Sequence, residues 1–483
     1  MSEIKDKAVS GAVWTAVEKF TRQAVQFVIG IILARLLAPE DFGAIGMLAI
    51  FISIAQTFTD SGLSSALIQK QDRTDTDCST LFYFNIVVAS LLYIILFFTA
   101  PWIAAFYRMP ILTDVTRVVS LSLVIAALTM VHNTILTIEL RFKTISIISI
   151  VSMITTGITG LVLAFCGWGV WALVFQSLVG QIVTSTCIWY YCRWSPKMAF
   201  SIKSFKQLWD YGSKLLGASI INTIYANLYT LVIGRKFSSS DVGFYNRGNQ
   251  FAMLPTQTVQ DMAIKVNFPL LVKMQDDNER MLGAYKKLLT APLYILYPIL
   301  VGMAVLADPL IRVLIGEKWL PCVPIMQVLC IGYIFSPLTH VNLNLLYVKG
   351  RTDLVLKLEL IKKPIAFLIL IATLPFGIIV MVLGKALYEF IAFSFNCYYT
   401  GKLLHYGEWQ QIKALMPIIL NCIIMAIVIR LSMSLCDSQV VKLGLGILVG
   451  ILSYIAFSVL SRDKTFFELK SIVVSKLKIN NEK

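Results

Sequence analysis

The stretch Leu33–Gly46 (LARLLAPEDFGAIG) decides the fold, because a second copy lies two hundred positions further along, at Ile233–Asn246 (IGRKFSSSDVGFYN). An arginine, an aspartate and a glycine recur at this one offset, namely Arg35 and Arg235, Asp41 and Asp241, and Gly43 and Gly243. A three-point match in the same apolar context indicates an internal repeat. Duplicated halves are the usual build of secondary transporters, so the repeat predicts this class of architecture.

A short turn inside this stretch separates two long apolar segments. We expect Arg35 to end one membrane helix, Pro39 or the serine run of the second copy to break it, and Asp41 to open the next helix as an acid of the N-cap type. Gly43 then lets the second helix approach a neighbour closely. The motif therefore predicts a short outer turn between two membrane-spanning helices.

The composition excludes a soluble globular chain. Of the 483 residues 57% are hydrophobic and 14% are charged, and the mean hydropathy is +0.76. The net charge of +15 indicates topology and contact with anionic lipid rather than nucleic acid, because basic loops of membrane proteins have this role. The lipid bilayer is thus an expected partner, and nucleic acid is not.

Helices of about 20 residues cross the hydrocarbon core of a bilayer, and the sequence predicts fourteen of them in an all-α integral membrane protein. The predicted spans are 10–36, 42–67, 79–106, 113–138, 144–166, 169–192, 209–234, 242–268, 284–307, 320–348, 354–375, 377–401, 413–434 and 440–461. Two six-helix halves in pseudo-twofold repeat and an extra helix pair account for them. The predicted domains are an N-terminal lobe 1–207, a C-terminal lobe 208–402, the helix pair 403–461 and a basic cytoplasmic tail 462–483.

The distribution of lysine and arginine predicts the orientation. With a cytoplasmic N-terminus, most of the lysines and arginines outside the helix interiors fall in inner loops and tails, and few fall in outer loops. Basic residues accumulate on the cytoplasmic side of membranes. We therefore expect both termini to be cytoplasmic.

Polar residues on the first predicted helix follow helical spacing. Thr15, Lys19, Arg22 and Gln26 step by four, three and four positions, and Glu18 lies one turn before Arg22. Ionisable groups are costly inside a bilayer, so such residues face a cavity, form pairs or reach the interface. This helix therefore predicts a basic stripe that reaches into the membrane.

Other helices carry polar residues of the same kind. The eighth has Arg247, Gln257, Asp261 and Lys265, with the last two one turn apart. The second has Asp60, and the seventh has Lys214 and Asn222, the latter at the offset partner of Arg22. Polar faces at matching depth in both halves predict a hydrophilic chamber between them.

Two further charged groups leave alternatives open. Lys362 and Lys363 accompany Glu359 on the eleventh predicted helix, and Lys385 accompanies Glu389 on the twelfth. We expect each group either to line the chamber or to form an ion pair within the protein.

The sequence contains only one candidate enzyme motif. Asp75-Thr76-Asp77 resembles the DxD motif of glycosyltransferases, but it lies in a short loop with no βαβ unit around it. An acidic solvated loop is the simpler interpretation, and the chain is predicted to be a transporter rather than an enzyme.

The stretch from Gly11 to Gln71 resembles the N-terminal signature of bacterial polysaccharide flippases of the Wzx type, in the WzxC-like branch. The resemblance extends over essentially the whole chain. It implies the multidrug/oligosaccharidyl-lipid/polysaccharide superfamily, a fold like that of MATE transporters and of the lipid II flippase MurJ, and alternating access. It also implies an undecaprenyl-diphosphate-linked oligosaccharide as substrate and the bacterial inner membrane as location.

The resemblance and the cationic stripes together predict a flippase for lipid-linked repeat units of a surface glycan. The expected substrate-binding residues are Lys19, Arg22, Lys214, Asn222, Arg247, Gln257, Lys265, Lys362 and Lys363. The expected coupling-ion or charge-pair residues are Glu18, Asp60, Asp261, Lys385 and Glu389. No cofactor is expected, Na⁺ or H⁺ is left open as the coupling ion, and other polysaccharide export proteins are candidate partners.

Two rival functions remain. A drug or metabolite antiporter of the same fold is expected to have a chamber of net acidic charge. A membrane glycan polymerase or acyltransferase is expected to have a large outer loop or a His/Asp catalytic pair, and the sequence has neither feature.

Overall fold

The computed structural model describes residue 19 and residues 21–262 and 267–471, except for the side chains of Asp261 and Met262. Every regular element in these ranges is helical. Eleven helical segments among the described residues are long and apolar enough to cross a membrane. The prediction of an all-helical, multi-pass membrane protein is confirmed.

The helices have the following bounds in the described ranges. They span residues 21–36 (α1), Pro39–Asp60 (α2), Leu63–Gln69 (α3), Asp75–Tyr107 (α4), Leu112–Val119 (α5), Leu121–Ile138 (α6), Phe142–Phe165 (α7), Val170–Cys192 (α8), Ile202–Lys236 (α9), Ser239–Met262 (α10), Phe268–Val272 (α11), Asn278–Val305 (α12), Ala307–Leu314 (α13), Cys322–Gly332 (α14), Ser336–Val348 (α15), Thr352–Thr373 (α16), Ile378–Leu404 (α17), Glu408–Ser434 (α18), Gln439–Leu460 (α19) and 464–471 (α20).

Several predicted spans have different ends or are interrupted. The span predicted at 42–67 breaks between α2 and α3, where Ser61 and Gly62 both have left-handed backbone. The span predicted at 320–348 divides into α14 and α15, since Pro337 near the start of α15 lacks the N–H that a continuous helix needs. The seventh span begins earlier than predicted, because Ser201 caps α9 by accepting a hydrogen bond from Ser204 N.

The chain forms two compact units, Met1–Gly243 and Phe244–Lys483, and the boundary falls inside α10. In the first unit Leu33 of α1 and Leu37, just after it, form an apolar cluster with Ala164 of α7 and Ala172 of α8. Apolar packing of this kind, with small residues at the contact, is typical of membrane helices. The domain boundaries predicted at 207, 402 and 461 stay predictions.

In the second unit buried polar side chains join α12, α15 and α18. Tyr285 Oη donates to Asn342 Oδ1 at 3.0 Å, and the amides of Asn342 and Gln411 exchange two hydrogen bonds of 3.0 and 2.9 Å. Asn342 and Gln411 have no solvent exposure. Because buried amides are costly when unbonded, this reciprocal pair favours one register between the three helices.

The two copies of the motif meet each other within the first unit, because residues 238–243 belong to it. A Cβ added to Gly43 would overlap the carbonyl of Ser239, and a Cβ added to Gly243 would overlap the carbonyl of Pro39. The side chains of Glu40 and Ser240 are hydrogen-bonded as well. Equivalent positions of the two copies therefore contact each other.

The two aspartates of the motif, Asp41 and Asp241, lie one turn beyond the cap position that the sequence predicted. Asp41 is the third residue of α2, where its Oδ2 accepts a hydrogen bond from Ala38 N at 2.9 Å. Asp241 accepts likewise from Ser238 N at 3.0 Å, while Ser238 Oγ accepts from Asp241 N. Each acid closes a capping arrangement instead of being the cap residue itself, and Pro39 begins α2 rather than breaking α1.

Candidate functional site

Polar side chains are exposed on three helices of the first unit. Arg22 and Gln26 of α1, Gln56 of α2, and Lys214 and Asn222 of α9 are all exposed. Lys19, which precedes α1, is half-buried. The first unit thus presents arginine, lysine and amide groups on helices that the sequence predicts to cross the bilayer.

Close packing fixes α2 and α9 against each other. A Cβ on Gly212 of α9 would meet the carbonyl oxygen of Ser61 and the side chain of Leu63, so only glycine allows this approach. Nearby, the hydroxyls of Thr57 and Thr223 are hydrogen-bonded at 3.1 Å. These contacts hold the polar residues of α2 and α9 in one arrangement within the first unit.

The carboxylate of Asp60 lies at the end of α2. It is half-buried, and Ser64 Oγ donates to its Oδ1 at 2.8 Å. One of the two carboxylate oxygens of Asp60 thus has a hydroxyl group beside it.

In the second unit, the ammonium group of Lys385 lies among three oxygens from two other helices. Its Nζ donates to Tyr245 Oη at 2.9 Å and Asn249 Oδ1 at 3.2 Å on α10, and to Tyr333 Oη at 3.0 Å at the C-terminal cap of α14. The rings of both tyrosines also lie 5.4 Å from Nζ. The network joins α17 to α10 and α14.

The sequence analysis missed the partners of Lys385. Tyr245 and Asn249 are four residues apart on α10, so they share one helix face, and that spacing is a signal that the sequence contains. Tyr333 comes from α14 and has no such signal.

Glu359 holds two lysines on α16. Its Oε1 lies 2.6 Å from Lys362 Nζ, and its Oε2 lies 3.5 Å from Lys363 Nζ. The side chain of Lys362 is 4% exposed, whereas that of Lys363 is 28% exposed. A charge as buried as that of Lys362 needs its partner, because an unpaired ion in an apolar interior is costly.

Glu389 lies one turn after Lys385 on α17 and is half-buried. Its electrostatic neighbours are Lys385, Lys362 and Lys363, together with the hydroxyl of Ser336. Ser336 Oγ in turn accepts a hydrogen bond from Gln260 Nε2 at 2.9 Å. The second unit thus brings the charged groups of α16 and α17 into one electrostatic cluster.

Arg247 is buried in the second unit, with 7% of its surface exposed. Its Nη1 donates to Gln250 Oε1 at 2.8 Å, and its guanidinium lies 5.4 Å from the centre of the Trp319 ring. The next residue, Gly248, faces the backbone of Cys322 on α14. Gln257, three turns further along α10, is exposed.

Three predicted site residues lie outside the described part of the chain. They are Glu18, Lys265 and the side chain of Asp261. For metals, the described residues contain no group of three His, Cys, Asp or Glu side chains that could hold an ion.

The two units differ in how far their predicted basic site residues are exposed. Lys362, Lys385 and Arg247 of the second unit are buried or half-buried and have short contacts with neighbouring side chains. Arg22 and Lys214 of the first unit are exposed.

Solved structures match the fold over most of the chain. The lipid II flippase MurJ in an inward closed conformation superposes with a TM-score of 0.78 at 19% identity, covering 93% of this chain and 98% of MurJ. An inward-facing MATE family multidrug resistance transporter superposes with a TM-score of 0.61 at 15% identity, covering 81% and 98%. The predicted likeness to MurJ and MATE folds is confirmed.

Sequence relatives come from several bacteria. The teichuronic acid biosynthesis protein TuaB of Bacillus subtilis (strain 168) is 28% identical over 356 residues, 73% of this chain and 74% of TuaB. The lipopolysaccharide biosynthesis protein WzxC of Escherichia coli (strain K12) is 27% identical, covering 74% and 73%. The succinoglycan biosynthesis transport protein ExoT of Rhizobium meliloti (strain 1021) is 27% identical, covering 70% and 68%.

The names of these relatives bear on two predictions. ExoT is a transport protein by name, and TuaB, WzxC and ExoT are named for biosynthesis or transport rather than for an enzymatic reaction. The prediction of a transporter rather than an enzyme is confirmed at this level.

Residues 32–324 match the model of the polysaccharide biosynthesis protein family. Taken with the all-helical membrane fold and the likeness to WzxC, this match confirms the predicted resemblance: the chain belongs to the polysaccharide biosynthesis protein family, in which the Wzx-type flippases lie.

Proposed function

We propose that the chain is a flippase that moves an undecaprenyl-diphosphate-linked oligosaccharide from the cytoplasmic to the outer leaflet of the bacterial inner membrane. The observation that carries the proposal is the exposure of Arg22 and Lys214 on helices of the first unit, in a member of a polysaccharide biosynthesis family. Basic groups at bilayer depth are costly unless they serve a polar cavity or ligand.

The chemistry of the substrate fits these side chains. A diphosphate offers several anionic oxygens, which a guanidinium binds through a forked pair of hydrogen bonds and an ammonium binds as a point charge. Arg22 on α1, Lys19 before it and Lys214 on α9 supply these groups. The amide of Asn222 is left to recognise sugar hydroxyls, because an amide both donates and accepts hydrogen bonds.

The names of the relatives support a bacterial glycan as the polymer whose building blocks are transported. Their names refer to teichuronic acid, lipopolysaccharide and succinoglycan, three different bacterial glycans. What such polymers share chemically is assembly from sugar units that must leave the cytoplasm. A carrier of lipid-linked repeat units fits this shared need, and other polysaccharide export proteins are its natural partners.

We also propose the full predicted architecture, with fourteen spans, two six-helix halves in pseudo-twofold repeat and two cytoplasmic termini. Helices α10 and α16 support the count, because they have 24 and 22 residues but carry charged side chains that lower their hydropathy. The bias of lysine and arginine towards the predicted inner loops supports the orientation. Movement of the two halves would then expose the substrate to each side in turn.

For energy coupling we propose the carboxylates of Asp60 in the first unit and Glu389 in the second. Each is half-buried and has a serine hydroxyl beside it. Asp60 would bind H⁺ or Na⁺ beside its hydroxyl partner, whereas Glu389, which lies near three lysines, would exchange H⁺ rather than bind Na⁺. Glu18 and Asp261 stay proposed charge-pair or coupling residues.

The experiment is deletion of the gene in its host, followed by complementation. Loss of the protein should abolish the surface glycan and lead to accumulation of its lipid-linked repeat unit in cells. The parent chain should reverse both effects, and Arg22→Ala should reverse neither at equal protein level. Normal glycan export in the deletion strain, without another copy of the gene, would overturn the proposal.

The likeness to a MATE transporter favours one rival, a cation-coupled drug or metabolite antiporter. Efflux of a cationic dye from cells that express the chain distinguishes the two functions. Dye efflux that depends on a Na⁺ or H⁺ gradient, with glycan export unaffected by deletion, would support the antiporter.

A further inference from the structure

A pocket of about 400 Å³ opens between the α6–α7 turn and the C-terminal end of α8. Its lining residues are Arg141, Tyr190, Tyr191, Cys192 and Arg193. Sites for small ligands and head groups have volumes of roughly 300–1,000 Å³. The pocket therefore has the size of a ligand site, and the proposed transport does not use it.

The two arginines give the pocket its charge. Arg141 donates from Nη2 to the carbonyl of Tyr191 at 3.2 Å, and its Nη1 lies 3.5 Å from Glu139 Oε2. Arg193 is exposed, and no hydrogen bond or ion pair of its side chain occurs among the described residues. Two guanidinium groups beside one carboxylate leave a net positive site, which suits a phosphate.

The backbone on both sides of the pocket is held in an uncommon conformation. Leu140 and Arg193 have φ values of 57° and 53°, in the left-handed region that favours glycine. Beneath them Leu136, Ile148 and Ile188 form a buried apolar cluster that joins α6, α7 and α8. The turn that carries Arg141 and the end of α8 that carries Arg193 are therefore joined by buried packing.

The helix α7, which begins next to Arg141 of this pocket, carries an exposed apolar stripe. The stripe begins after Lys143, which is exposed, and continues through Ile147, Val151, Ile154 and Ile158 at steps of four, four, three and four. Exposure rises from 37% at Ile147 to 58% at Ile158. Acyl chains are the natural neighbours of such a stripe on a membrane helix.

Tyrosine side chains complete the site at its rim. Tyr190 is 72% exposed, and its ring lies edge-on to Tyr191. Tyrosine is enriched where membrane meets water, because its ring is apolar and its hydroxyl is polar. The predicted orientation places this end of the helices on the cytoplasmic side, where anionic lipids are abundant.

We propose that this pocket binds the phosphate of an anionic membrane phospholipid, with Arg141 and Arg193 on the head group and the acyl chains in the surrounding bilayer. The ligand is a bilayer lipid rather than a soluble phosphate, because the pocket lies at the end of a helix with an exposed apolar stripe and has an exposed tyrosine of the kind found where membrane meets water. The site is separate from the residues proposed for transport.

Native mass spectrometry of the full chain, released from bilayers of phosphatidylglycerol and phosphatidylcholine, tests the proposal. The parent chain should retain phosphatidylglycerol, and Arg193→Gln should retain it about tenfold less well, since a charge-assisted hydrogen bond contributes on the order of 1.5–3 kcal/mol. Arg141→Gln with Arg193→Gln should abolish retention. If the double variant does not fold, comparison of the parent chain with the Arg193→Gln chain still tests the proposal.

The matched control is Arg462→Gln. Arg462 is also exposed, also follows a membrane helix and also has left-handed backbone, with φ of 51°, but it does not line this pocket. It should leave phosphatidylglycerol retention unchanged. Equal retention in the parent and the Arg193→Gln chain, or equal loss in the Arg462→Gln chain, would overturn the site, and displacement of the lipid by millimolar glycerol phosphate would overturn a bilayer lipid as its occupant.

Discussion

Gly43 and Gly243 occupy equivalent positions in two copies of one sequence motif, and each faces the backbone carbonyl of the other copy, at Ser239 and Pro39 respectively. Neither position has room for a Cβ. The close approach brings the first turns of α2 and α10 together, and the hydrogen bond between Glu40 and Ser240 adds to it. The motif is therefore a helix contact as well as a turn between helices.

This contact predicts the effect of adding one methyl group. Gly43→Ala or Gly243→Ala should lower the thermal stability of the purified protein, because overpacking against rigid backbone costs about 1–3 kcal/mol. Gly217→Ala is the matched control, since a Cβ there meets no atom within 4 Å. A stable Gly43→Ala protein, with the same melting temperature as Gly217→Ala, would show that the two copies are not in contact.

The buried pair on α16 predicts a rescue. Glu359→Gln should destabilise the protein by about 3 kcal/mol, the lower end of the range for breaking a buried pair, because Glu359 itself is partly exposed. Adding Lys362→Met should restore most of the melting temperature, since it removes the uncompensated charge. Adding Lys363→Met should restore little, since Lys363 is more exposed. Equal rescue by both changes would contradict the assignment of the buried charge to Lys362.

Arg22 is predicted to act on the substrate rather than on folding. Arg22→Ala should abolish glycan export at normal protein level, and Arg22→Lys should restore only part of it, because an ammonium lacks the forked geometry. Arg430→Ala is the control, since Arg430 is exposed near the predicted outer end of α18. If Glu18→Ala restored export to the Arg22→Ala chain, Arg22 would be a partner of Glu18 and not of the substrate.

Arg247 is predicted to behave differently, because it is buried against Trp319 and Gln250. Arg247→Ala should reduce both export and melting temperature, whereas Arg22→Ala should reduce export alone. Gln257→Ala on the same helix, at an exposed position, should leave the melting temperature unchanged. An Arg247→Ala protein as stable as the parent, yet inactive in export, would place the guanidinium on the substrate.

The sequence predicted the membrane fold well because composition and helix length are local properties. The helix α4, for example, has a run of apolar residues longer than a bilayer requires. The breaks at Ser61 and Pro337 were harder to predict, since a broken membrane helix keeps the same hydropathy as a continuous one. The cap position of Asp41 was off by one turn because it depends on where Pro39 begins α2.

The contacts of the site residues could not be predicted, because they come from helices that are distant in sequence. Lys385 was recognised as a charge inside a membrane helix, but its oxygens come from residues 52 to 140 positions away. Arg247 and Arg22 both have polar neighbours at helical spacing, yet one is buried and the other exposed. The spacing of residues in the sequence predicts which side chains share a helix face. Which other helices that face contacts depends on the packing of the whole protein.

Reconstitution of the purified chain in liposomes tests the central claim most directly. An undecaprenyl-diphosphate-linked oligosaccharide with a fluorescent sugar is placed in both leaflets, and a membrane-impermeant quencher reports how fast the inner pool reaches the outside. The account predicts that the parent chain makes nearly all of the label accessible within minutes and that Arg22→Ala leaves about half protected, as in protein-free liposomes. Protection of the inner pool in liposomes that contain folded parent chain, with the appropriate ion gradient imposed in either direction, would contradict it.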